Sequence, residues 1–97
     1  MPTYVVLGKW TEKTFASMKD AAAATEEIKK AVKSMGAEIK AWYMLMGQYD
    51  EICILEAPNP ETIAKIIISL SARYGVKTET MPAFNEAEAM KIIASLG

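Results

Sequence analysis

Histidine is absent from the 97 residues, and cysteine occurs once, as Cys53. The first absence removes the commonest general base and the commonest metal ligand. It also rules out Cys–His catalysis. A lone cysteine cannot form an internal disulfide, which fits a reducing compartment and a cytoplasmic location. No apolar run approaches the roughly 18 residues of a membrane span. Met1-Pro2-Thr3 leads straight into a strand, so no signal peptide is expected. Neither sign of charge dominates: 11 basic residues face 12 acidic ones, for a formal net charge of -1. A nucleic-acid surface is therefore not expected. Walker, Rossmann, HExxH and CxxC patterns are missing too, so the sequence calls for no cofactor and no metal.

What is present suits one domain over residues 1–97, long enough for a core without disulfides. Its centre is Ala37 to Ala57, AEIKAWYMLMGQYDEICILEA, two apolar strands around a turn at Gly47-Gln48-Tyr49-Asp50. With Gln48 and Tyr49 as loop residues, Leu45 faces Ile52 and Tyr43 faces Ile54. Alternation puts Ile39, Ala41, Tyr43, Leu45, Ile52, Ile54 and Glu56 on one face. Trp42, Met44, Met46, Cys53 and Leu55 fall on the other. Both faces are apolar at their centres, so each needs a cover.

Tyr4 to Trp10 reads as a first strand, and Thr11 to Phe15 as a loop or single turn. A helix is expected from near Ser17, whose spacing to Asp20 matches a capping box, with Gly36 as its terminator. Asn59 and Pro60 start a second helix that Gly75 closes. Val76 to Met81 is a fourth strand ended by Pro82. Asn85 and Glu88 then open a last helix. The order β-α-β-β-α-β plus a trailing helix is the α+β, ferredoxin-like plan with a four-stranded antiparallel sheet.

Both long helices of that plan cover one sheet face. The uncovered face is expected to carry Trp42, Met44, Met46, Cys53 and Leu55 and to bind a second copy of the chain. Four strands of about six residues project roughly 400 Å² of sheet, the upper limit for a soluble monomer. Reversed parity would expose the isoleucine face instead, and the need for a partner would remain.

The opening strand Tyr4 to Leu7, the G-x-Y-D turn before strand Glu51 to Glu56, Ala57-Pro58-Asn59-Pro60 and Thr80-Met81-Pro82-Ala83-Phe84 carry a likeness. In these the chain resembles the GYD-domain family over nearly its full length. The resemblance implies ferredoxin-like subunits paired through their sheets as a dimeric α/β barrel. Its wider superfamily contains cofactor-free monooxygenases, lactone isomerases, haem proteins and amino-acid-sensing modules. The haem branch is a poor match, because no histidine exists to ligate iron.

Five residues are candidates for a small-molecule site: Trp10, Tyr43, Tyr49, Asp50 and Glu56. Tyr49 and Asp50 read either as turn residues or as the rim of a pocket. Trp10 reads as packing or, as in the oxygenases the resemblance brings in, as a cavity wall. Tyr43 and Glu56 would line a cavity if their face met the helices, and a buried Glu56 would serve as a proton carrier. Cys53 reads as a small buried hydrophobe. Three functions stay open: binding of a small organic ligand, cofactor-independent oxygenation or isomerisation of an aromatic or polyketide-like substrate, and a ligand-sensing regulatory or assembly role.

Overall fold

The computed structural model describes residues 1–97. The chain runs β1 (Thr3–Lys9), α1 (Glu12–Ala16), a 3-10 turn (Met18–Asp20), α2 (Ala21–Ser34), β2 (Glu38–Met44) and β3 (Glu51–Glu56). It continues through α3 (Pro60–Tyr74), β4 (Lys77–Ala83) and α4 (Glu86–Ala94). The four strands form one antiparallel sheet in the order β2-β3-β1-β4, the ferredoxin-like arrangement. Tyr4 and Val6 of β1, Leu55 of β3, Val32 of α2 and Ile63 and Ile66 of α3 make the core between helices and sheet.

The end of α3 follows its sequence signals. Asn59 accepts from the Thr62 amide at 2.8 Å, and Pro60 occupies the first turn. Gly75 ends the helix at φ 73°, the left-handed conformation that glycine adopts without Cβ strain. Three carbonyls at this end, those of Ala72, Tyr74 and Gly75, are then claimed by the segment before α2. The Thr11 hydroxyl donates to Gly75 O at 2.6 Å, that of Thr14 to Tyr74 O at 2.8 Å, and Lys13 Nζ to Ala72 O at 2.6 Å. So α1 is a latch across the C-terminus of α3. At α4, Asn85 and Glu88 exchange both capping-box bonds, at 2.9 and 2.8 Å.

Four expectations need correction. The long helix α2 begins at Ala21 rather than Ser17: the Ser17 hydroxyl turns back to the carbonyls of Lys13 and Thr14, and Asp20 makes no capping bond. Strand β4 runs through Pro82 to Ala83, because β4 is an edge strand where a missing N–H need not break a ladder. In the hairpin, Tyr43 opposes Ile52 and the Leu45 amide donates to Asp50 O at 2.7 Å, so Met46 to Tyr49 form a four-residue loop. A shift of register between Ile39 and Ala41 then brings Ile39 opposite Leu55, onto the core side.

The fourth correction is the parity of the sheet. Leu55 and Cys53 pair with Tyr4 and Val6, whose side chains lie under the helices. Trp42 and Met44 share their face through pairing with Cys53 and Glu51. The open face therefore carries Val5, Leu7, Ala41, Tyr43, Ile52, Ile54 and Met81. Met46 belongs to neither, since it sits at the loop tip, 97% exposed.

Helix α4 buries none of its residues, and Phe84, Met90, Ile93 and Leu96 stay exposed. The outline is 52 × 31 × 19 Å, with a radius of gyration of 14.7 Å. A compact chain of this length has a radius of gyration of about 12.5 Å. The accessible surface is 6754 Å², against about 5,500 Å² for a folded monomer of this mass.

Candidate functional site

Between α2 and the sheet lies a cleft of about 380 Å³. Val6, Cys53 and Leu55 form its floor, and Ile28 and Val32 of α2 face Ile66 and Leu70 of α3. The side at edge strand β2 is open, where Trp42 and Met44 line it while remaining 51% and 61% exposed. Trp10 and Glu51 stand together on the same lining. The Trp10 indole Nε1 donates to Glu51 Oε2 at 2.8 Å, and its ring meets Phe15 edge-on at 5.9 Å.

That pair is placed by backbone chemistry around Asp50. Its Oδ2 accepts from the Trp10 amide at 2.9 Å, its own amide donates to Gly8 O at 2.8 Å, and its carbonyl accepts from Leu45. One residue thus bolts the end of β1 to the hairpin loop and fixes the corner from which Trp10 projects. Gly8 lies directly beneath Glu51. A Cβ there would come within 2.8 Å of Glu51 Cγ and 2.9 Å of Val76 Cγ1, so the absent side chain is what lets the Glu51 stem lie flat.

The GYD domain family matches residues 4–93. The chain belongs to the GYD domain family. A "glutamine synthetase and cystathionine beta-lyase binding protein" from Thermus thermophilus is 28% identical over 89 residues, covering 91% of this chain and 94% of that protein. The crystal structure of FFRP-DM1 superposes with a TM-score of 0.59 at 21% identity, over 87% of this chain and all (100%) of that one. The leucine response regulatory protein of Mycobacterium tuberculosis gives a TM-score of 0.62 at 12% identity, over 87% of this chain and 51% of that one. This GYD chain therefore spans about half of the latter, and the two likenesses concern the fold alone.

Within this GYD domain the sequence candidates separate. Trp10 lines the cleft; Tyr43, Tyr49, Asp50 and Glu56 do not. Tyr43 and Glu56 lie on the open face, Tyr43 61% exposed, so neither faces the helices. The Tyr49 hydroxyl donates to Glu79 Oε2 at 2.6 Å, and Lys9 Nζ sits 5.6 Å from its ring. The Glu79 hydrogen bond, with some desolvation and the carboxylate charge, raises the Tyr49 phenol above its ordinary 10.0. Conversely Trp42, Met44, Cys53 and Leu55, read from sequence as an interface, line the cleft. Neither Glu51 nor Gly8 is singled out by the sequence alone. Strand parity with Cys53 and Leu55 was the available signal for Glu51, once the core side was known. No three His, Cys, Asp or Glu side chains gather as a metal site, and no helix is long and apolar enough to cross a membrane.

Cys53 reports on the cleft. Burial first, and then the Glu51 carboxylate, push its thiol up from an ordinary 9.0 to about 11. Thiolate, the reactive form, is then scarce at neutral pH. Iodoacetamide should alkylate the folded protein roughly 100-fold more slowly than the unfolded one at pH 8, with the rate still rising at pH 10. A plateau near pH 9 would refute the buried setting. The linked stability has a definite sign. The neutral thiol's contribution is complete below 9.0 and disappears as pH climbs through about 11.

Proposed function

We propose that this protein binds a small, largely apolar molecule in the cleft between α2 and the sheet. The observation that carries this reading is the Trp10–Glu51 pair set into a mostly apolar cleft of about 380 Å³. That volume lies in the range of small-molecule sites, which combine apolar walls with a few oriented polar groups. The enzymatic alternative receives less support. Its proposed proton carriers do not converge, because Glu56 lies across the sheet and Asp50 is engaged with backbone amides.

Both tryptophans of the chain line the cleft, so their emission reads occupancy. Titration with n-butylbenzene should change it saturably and slow Cys53 alkylation. The variant Ala24→Phe, which adds a ring on the cleft side of α2, should lose the response and keep its melting temperature. No saturable response in the wild-type protein, up to the solubility limit, would reject the reading.

A second reading concerns assembly, and a different observation favours it. The accessible surface of 6754 Å² exceeds the compact-monomer value by roughly 1,200 Å². One side of a standard interface takes about 800 Å². The apolar open face is the place to bury it, and a second copy presenting the same face is the simplest cover. The Thermus relative's name supplies the competing occupant, a different protein.

A further inference from the structure

Glu51 stands out because its charge has no protein counterpart. Its Oε2 accepts a hydrogen bond from the Trp10 indole N–H, but Oε1 accepts from no side chain or amide. No buried side-chain oxygen in the molecule lacks a partner, so the unpartnered Oε1 keeps access to solvent, on a residue that lines the cleft. All three ion pairs of the chain lie elsewhere. The cleft's other charged lining residue, Lys29, is paired with Glu26 at 3.8 Å. Trp10 and Gly8 both serve to hold the carboxylate in place, one by a hydrogen bond and one by vacating the space beneath it. A half-buried carboxylate beside apolar walls is costly unless a cation or strong donor meets it.

We propose that the ligand of this cleft is an amine: an apolar, aromatic or branched body carrying one protonated amino group, with that group seated against Glu51 Oε1. The inference rests on the cleft being a ligand site. It adds the polarity and charge of the ligand, because a cationic donor completes the carboxylate through a charge-assisted hydrogen bond while the body replaces water along Val6, Cys53 and Leu55. An anionic ligand of the same shape is repelled. Trp10 acts here as a positioning residue for Glu51.

Three probes of one shape separate the possibilities: 3-phenylpropylamine, n-butylbenzene and 3-phenylpropionate, each followed by tryptophan emission. The wild-type protein should bind the amine about tenfold or more tightly than the hydrocarbon, and the anion more weakly than either. Glu51→Gln keeps an acceptor for the Trp10 indole and removes the charge. It should erase the preference for the amine over n-butylbenzene. An amine bound no better than the hydrocarbon by the wild-type protein, or a preference surviving Glu51→Gln, overturns the proposal and spares the cleft. Failure of n-butylbenzene to bind overturns the cleft reading and the proposal together. Should Glu51→Gln fold poorly, Trp10→Phe provides the check, since losing the indole donor should lower the ratio of amine to hydrocarbon affinity, read from the emission of Trp42.

Discussion

Gly75→Ala should lower stability by at least ~2 kcal/mol, or about 10 °C in melting temperature for a domain of this size. Two costs combine at this position. The backbone holds φ 73°, where a Cβ is strained, and the new Cβ would lie 2.7 Å from Lys13 Cβ and 2.8 Å from Thr11 Oγ1. Gly36 offers an internal control, with φ 82° and nothing within 4 Å of its would-be Cβ. Gly36→Ala should therefore cost only about 1 kcal/mol, the conformational part alone. Thermal denaturation of the two variants side by side isolates the close approach. Equal losses would mean that α1 does not lie against the end of α3.

The effect should reach the cleft as well. Thr11, Lys13 and Thr14 hold carbonyls at the C-terminal end of α3, those of Gly75, Ala72 and Tyr74, and Trp10 is the residue just before them. Pushing this latch away from Gly75 moves the corner that aims the indole at Glu51. Stability and ligand geometry are thus joined through one glycine, which the sequence marked only as a helix terminator.

That case shows where sequence reasoning stops. Element order, helix caps at Asn59 and Asn85, and the ferredoxin-like plan are local matters of propensity and spacing, and they were readable. Parity was not. Val5 and Leu7 are as apolar as Tyr4 and Val6, and Ile52 and Ile54 as apolar as Cys53 and Leu55, so period-two alternation has no polar face to point outward. The register shift near Lys40 hid for a similar reason, since Ile39 suits either face. Asp50 was visible as a motif residue, yet its role depends on Gly8 and Trp10, forty positions away in the chain. Glu51 needed all three facts at once.

The apolar face that defeated parity is also the basis of the second large effect. Ile54 stands at its middle, paired with Val5 on one side and Ala41 on the other. If two copies meet through this face, Ile54→Glu places a carboxylate in the buried centre, next to its symmetry mate, on a face that already carries Glu56 and Glu79. A penalty of about 3 kcal/mol or more corresponds to a dissociation constant raised at least ~100-fold. Sedimentation equilibrium should show the wild-type protein at twice the chain mass or a larger even multiple, and Ile54→Glu at the mass of one chain. The variant's far-ultraviolet circular dichroism should be unchanged, because in the single chain this position already meets water. A wild-type protein that stays monomeric at high micromolar concentration would refute pairing of two copies through this face. The cleft would be unaffected by either result, since its floor and the open face are opposite sides of the same strands. This separation allows ligand binding and assembly to be tested by independent substitutions one residue apart, at Cys53 and Ile54.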